Sequence, residues 1–176
     1  MATSFTWTDI PYGGVTDPAP INKMGKQVQD LSSRGCQAAW SFSPSSAIGT
    51  TITGILTITG CVLEPGQAYS VENVGGVWAD VTGRYADFAI FKNSLSTQIG
   101  AFYRTPQVGA NGKQTNCYGK VYVKNTQASA NTFDMILSMV ADAGTVVHDA
   151  AAGRPRSLVV TQLGPASAYP FAFDVP

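Results

Sequence analysis

Charge is scarce in this chain. Eleven Lys and Arg balance eleven Asp and Glu, together 12% of 176 residues, where a soluble protein usually carries about 25%. Without a basic field there is nothing to draw nucleic acid, and without an acidic block there is no solvating tail. Histidine occurs once, at His148, which excludes a multi-histidine metal site and leaves a single candidate general base, next to Asp149. Between Val147 and Asp149 it reads as an exposed residue on a turn. The three cysteines, Cys36, Cys61 and Cys117, are odd in number, far apart and in no Cys-x-x-Cys arrangement, so neither a disulfide framework nor a zinc knuckle follows. Reduced, buried thiols are expected, with one bridge and one spare thiol as the alternative. No apolar run approaches the roughly 18 residues of a membrane helix, and the opening Met-Ala-Thr-Ser-Phe-Thr-Trp-Thr-Asp lacks the basic and apolar regions of a secretory signal. Nucleophile elbows, phosphate-binding loops and dinucleotide fingerprints are all missing. Acid pairs such as Asp80 with Asp87, or Glu64 with Glu72, carry nothing that separates them from surface acids. The expectation is therefore no catalytic residue, no metal, no cofactor and no membrane insertion.

What the chain does have is apolar content, 44% of its residues, and enough length to bury roughly 70% of its unfolded surface as one domain. From Gln37 onward that content alternates with period two. Ala38, Trp40 and Phe42 begin the pattern; stretches 52–62, 67–74, 85–91, 98–104, 115–124, 132–140 and 156–163 continue it. Turn signals such as Pro65-Gly66, Asn111-Gly112 and Ala143-Gly144 separate them. About eight short strands without intervening helices predict an all-β fold, a jelly-roll β-sandwich over 36–165.

Before it, Ile21, Met24, Val28 and Leu31 form the one clear helical stripe. Thr16 or Asp17 suits its cap, Pro18 its first turn and Gly35 its stop. A helix this short is marginal alone, so its apolar edge meets either its own domain or copies of itself along a heptad seam. The organisation expected is an extended attachment arm at 1–16, a short α-helical neck at 17–35, the sandwich, and an extended tail at 166–176. In the arm, Phe5, Trp7, Ile10 and Tyr12 lack helical spacing, and Pro11 and Gly13-Gly14 prevent a regular element. These four are the candidate contacts to a partner protein, with packing on the arm's own subunit as the alternative. In the tail, Tyr169, Phe171 and Phe173 stand among prolines that cannot join a central ladder, so the tail lies over a neighbour or over its own subunit. Between Gly35 and Gly83 there is no Lys or Arg, and the only acids are Glu64, Glu72 and Asp80. Interface cores are depleted in charge in this way. Trp78, Tyr103 and Tyr118 are candidate rings for stacking on a sugar, with burial or an interface as the alternative for each.

Two groups of residues resemble a family. Thr6-Trp7-Thr8-Asp9, followed by Pro18, Ile21, Asn22, Lys23 and Met24, resembles the leader ahead of helical necks in fibre and head-fibre proteins of tailed bacteriophages. Gly66-Gln67-Ala68-Tyr69-Ser70-Val71, with Gly144-Thr145-Val146-Val147 and the ending from Ala152 to Pro165, is similar to jelly-roll virion proteins of phages that infect actinobacteria; Gln162 stands where their closing strand usually has an acid. The resemblance implies a non-enzymatic, trimeric, tumour-necrosis-factor-like jelly roll that assembles in the host cytoplasm and resides in the virion, and it makes another virion protein the partner of the arm. It further implies a minor tail protein, at the tail tip or in a fibre, that contacts the host surface, with a capsid decoration or head-fibre protein as the alternative. A glycan-binding or glycan-cleaving module is the second alternative, which makes a host-surface glycan a candidate partner. The seam provides a test of assembly. Val28→Asp sets three like charges in a closed apolar core, so a trimer should dissociate in sedimentation experiments while a chain that is already monomeric sediments unchanged.

Overall fold

The computed structural model describes residues 36–100, 103–110, 114–150 and 155–176. The arm residues Phe5, Trp7, Ile10 and Tyr12 and the seam residues Ile21, Met24, Val28 and Leu31 lie outside the described residues.

Among the described residues ten strands follow one another: β1 (Cys36–Ser41), β2 (Thr53–Leu63), β3 (Gln67–Ala79), β4 (Ala86–Lys92), β5 (Tyr103–Arg104), β6 (Thr115–Asn125), β7 (Asn131–Ala141), β8 (Val146–Asp149), β9 (Arg156–Pro165) and β10 (Phe173–Asp174), with a 3-10 turn at Ala166–Ala168. They form two sheets, ordered β1-β9-β3-β6-β10 and β2-β7-β4-β5, with β8 also paired to β3. First strand beside ninth, second beside seventh, third beside sixth and fourth beside fifth is the wrapping of a jelly roll. The all-β sandwich expected from the period-two pattern is thus present, and eight of its strands fall on the stretches that alternate.

Inward residues of the two sheets make one core. Tyr69, Val71, Val77, Cys117, Val123, Leu158 and Val160 face Leu56, Ile58, Phe88, Ile90, Phe133, Met135, Leu137 and Met139, all buried. Strand β2 keeps this alignment by a bulge: between Ile58 and Cys61 its register on β7 slips by one residue. Even positions point inward before the slip and odd positions after it, so Leu56 and Ile58 are buried and so are Cys61 and Leu63. Gly60 supplies the left-handed residue (φ 63°) that the bulge needs, and its N–H donates to Asp134 Oδ1 at 2.9 Å. Cys61 and Cys117 are free and buried. Burial pushes their thiols up to about 12 and about 11, so neither is a ready nucleophile.

One element departs from the expected layout. Strand β3 runs on to Ala79, and its last four residues need partners on the side that β9 does not reach. Strand β8 provides them, pairing Val146–Asp149 with Gly76–Ala79, while β9 pairs with Gln67–Val74. His148 is consequently inside a strand and not on an exposed turn. The tail packs on its own subunit, one of the two placements expected for it. Its two-residue β10 runs parallel to β6, at the sheet edge where the flanking Pro170 and Pro176 cost no ladder bond. Val175 is buried and donates its N–H to the Lys124 carbonyl at 2.9 Å. The Pro176 carbonyl accepts from Asn131 Nδ2 at 3.0 Å and from Lys92 Nζ. Ending the chain at Ala172 should leave a cooperative fold that is less stable by about 2 kcal/mol, the burial of one valine, read as a lower urea midpoint.

Candidate functional site

The interior of the sandwich contains two aromatic rings seated on glycines. Along β3 the odd positions point inward, and Gly75 is one of them: a Cβ there would overlap His148 Nε2. Gly119 of β6 does the same for Tyr103, whose ring lies where a Cβ would be. Tyr103 comes from the opposite sheet and stacks on Phe88, with centroids 5.1 Å apart and planes 7° from parallel. His148 meets the edge of the same Phe88 at 5.4 Å. Asn73 Nδ2 donates to Tyr103 Oη at 2.5 Å and reaches Cys117 Sγ at 3.6 Å. Tyr103 is therefore a core ring and not a surface platform, and burial raises its phenol well above the usual range.

His148 is the one candidate general base, and its surroundings rule that role out. Its side chain is 0% exposed, and neither ring nitrogen has a hydrogen-bond partner among the described residues. Burial, with the Arg156 charge as a smaller cause, drives its pKa from 6.5 down to about 3. A neutral imidazole closed off from solvent cannot take a proton from a substrate. Arg156 itself is a structural tie. Its guanidinium donates to the Ser43 carbonyl at 2.9 Å and the Ile55 carbonyl at 2.7 Å. Three of the four carboxylates named as candidate pairs are held by cations. Asp87 takes two bonds of 2.7 Å from Arg104, Glu72 is 2.8 Å from Lys120, and Asp80 is 3.6 Å from Arg84.

The outer face of the larger sheet is where side chains remain accessible. Its rows follow from register. Asp149, Gly76 and Asn116 lie side by side on β8, β3 and β6. Ser157, Val74 and Tyr118 form the next row, and Val159, Glu72 and Lys120 the one after it. The Lys120 ammonium holds the Glu72 carboxyl below the usual carboxylate range, helped by the Tyr118 and Ser70 side chains. Beyond them Tyr122, Tyr169 and Phe171 form an aromatic cluster, with Tyr122 and Phe171 edge-on at 5.2 Å. In the first two rows the central strand presents only Gly76 and Val74, so the face sinks into a groove of about 370 Å³ whose lining includes Gln114, Asn116, Asp149, Pro155 and Ser157. Of the three rings suggested for sugar stacking, Tyr118 is exposed at 61% and is the cross-strand neighbour of Val74, which lines this groove, whereas Trp78 is half-buried. Sequence reasoning passed over the groove because it ended the strand at Val74. The signal was present: a Gly-Gly pair in a strand marks a close approach or a gap.

No family model and no curated protein matches the chain. Among solved structures it is similar to the C-terminal CBM6 of LamC, a marine laminarinase from Zobellia galactanivorans, at 14% identity and TM-score 0.40, covering 73% of this chain and 93% of that one. It is also similar to VP2 of the infectious bursal disease virus subviral particle, at 11% identity and TM-score 0.46, covering 80% of this chain and 35% of that one. The chain thus spans about a third of the VP2 chain.

The buried histidine makes stability depend on pH. Unfolded, His148 takes a proton near 6.5; folded, only near 3. Between those values the unfolded state binds more protons, so this contribution is whole above 6.5 and is lost as pH falls toward 3. At about 1.4 kcal/mol per pH unit, acidification from pH 7 to pH 4 removes on the order of 3 kcal/mol through this group. His148→Leu should flatten that part of the acid limb, measured as the difference in urea stability at the two pH values for variant and parent.

Proposed function

We propose that the chain is a non-enzymatic structural component of a tailed-phage virion, acting as a trimer and belonging to the minor tail class, at the tail tip or in a fibre. The observation that carries this reading is the placement of exposed apolar side chains on the larger sheet. Strand β1 is at one edge of that sheet, and beside it Trp40 and Phe42 are 63% and 57% exposed. Strand β10 is at the other edge, and there Phe171 and Phe173 are 65% and 46% exposed. A monomer that leaves large rings in water at both ends of one sheet offers two different patches. Two different patches that meet head to tail close into a ring when the rotation permits it, and a ring of three suits the heptad seam of the expected neck.

Three further features support the reading. The charge-poor span from Gly35 to Gly83 contains β1 and Trp40, the first of the two patches. The sole histidine and the two described cysteines are sequestered in the core, and Asp80, Asp87 and Glu72 are neutralised by cations. The leader from Thr6 to Asp9 resembles those of fibre proteins and favours the tail over the head.

Sedimentation equilibrium should return three times the 18.5 kDa chain mass. Trp40→Ser or Phe171→Ser should lower the association constant by about tenfold or more, the cost of removing one buried ring from an interface. Gold-labelled antibody against the chain should decorate the tail end of intact particles. Labelling over the shell would favour the capsid decoration alternative, and a chain absent from particles would overturn the proposal.

A further inference from the structure

The groove at Gly76 has the makings of a ligand site. It is bounded by two walls about 10 Å apart, two strand spacings, because Asp149 and Asn116 flank a residue with no side chain. Gly75 and Gly76 are adjacent yet do different things. Gly75 faces inward and is accounted for by His148, whereas Gly76 faces outward, and no interior packing requires it to be glycine. A Cβ at Gly76 would instead stand 3.0 Å from Gln114 Oε1, so the small residue lets the Gln114 amide lie across the floor. That amide is held from the far wall, its Nε2 donating to Asp149 Oδ2. The side chains of Asn116 and Ser157 make no hydrogen bond to the described residues and line the groove as unpartnered polar groups.

The chemistry of the lining narrows the ligand. One carboxylate, Asp149, lines the groove, and it disfavours phosphate, sulfate and carboxylate groups there. The nearest cation on the adjoining rows, Lys120, is committed to Glu72 at 2.8 Å. Amide, hydroxyl and carboxylate groups lie around Val74 and glycine backbone, and the exposed Tyr118 ring is the cross-strand neighbour of Val74. Donors and acceptors converging around a flat apolar surface match a pyranose, which has hydroxyls at its rim and C–H bonds on its faces. The volume is at the lower end of the roughly 300–1,000 Å³ of small-molecule sites, enough for one or two sugar units.

We infer that this groove binds a neutral saccharide, with Tyr118 stacking on one sugar face and Asn116, Ser157 and Asp149 hydrogen-bonding its hydroxyls. The inference goes beyond the assembly reading and is separable from it, since a trimer without sugar affinity would defeat the groove alone and a sugar-binding monomer would defeat the trimer alone.

The test is an array of neutral and acidic oligosaccharides screened with the full chain, followed by titration calorimetry with the best neutral oligomer. Binding of one or more neutral glycans is expected, with sialylated and sulfated forms weaker. Gly76→Val, which fills the floor and displaces Gln114, should abolish binding while the thermal midpoint stays near that of the parent. Tyr118→Ala should weaken it about tenfold, and Asn116→Ala about threefold to tenfold, the loss of one neutral hydrogen bond. These two exposed positions keep the test valid if Gly76→Val folds poorly. Absence of any neutral glycan binding at about 10 mM, equal or tighter binding of acidic forms, or binding that Tyr118→Ala and Asn116→Ala leave unchanged would overturn the proposal.

Discussion

The two sheets are locked by rings that occupy the volume two glycines leave empty. Tyr103 stacks on Phe88 from one sheet and lies over Gly119 of the other, and His148 comes edge-on to the same Phe88 from above Gly75. Interiors are close-packed, so a methyl group added at either glycine has nowhere to go without moving a ring. The arrangement brings polar atoms with it, and they are satisfied unevenly. The Tyr103 hydroxyl has Asn73, while both imidazole nitrogens and Asn73 Oδ1 have no partner among the described residues. A neutral imidazole tolerates that site far better than an imidazolium would.

This interior decides what the outside is free to do. The side chains with chemical potential, the histidine and two thiols, are consumed by packing, and Asp80, Asp87 and Glu72 are each tied to a cation. What remains accessible is shape and hydrogen bonding on the outer face of the larger sheet. One dipeptide links the two sides. In a strand, neighbouring residues point to opposite faces, so Gly75 makes the socket for His148 and Gly76 opens the groove beneath Gln114. The exposed rings at the two edges of the same sheet belong to assembly on the proposed reading, which leaves the central rows of the face open.

Much of the fold was legible because alternation is a direct image of a two-faced sheet. Trp40 exposed beside Ala39 packed on the core, or Cys117, Val121 and Val123 buried between exposed Asn116, Tyr118 and Lys120, can be read from residue types alone. Other features were illegible for physical reasons. Strand β8 is four residues long, and its Val-Val-His-Asp does not alternate in hydrophobicity; it exists because β3 overruns β9 and leaves backbone groups to be paired. His148 looked exposed because histidine next to aspartate is usually wet, and only the empty space over Gly75 shows otherwise. Strand β10 is at the sheet edge, as the tail's prolines require, since they bar it only from a central ladder. The groove depends on three strands and on the seam where β8 gives way to β9, an arrangement that no local pattern encodes.

The central claim is that the single histidine is a neutral core residue and that recognition belongs to the outer face. It is tested most directly by nuclear magnetic resonance of His148 in the folded chain, whose imidazole nitrogens give one unambiguous set of signals. The account predicts a neutral ring whose shifts do not change between about pH 7 and pH 4, in keeping with a pKa of about 3. A titration with a midpoint near 6.5, the ordinary histidine value, would contradict it, because the ring would then be reachable by solvent and the packing described for Gly75 would not exist.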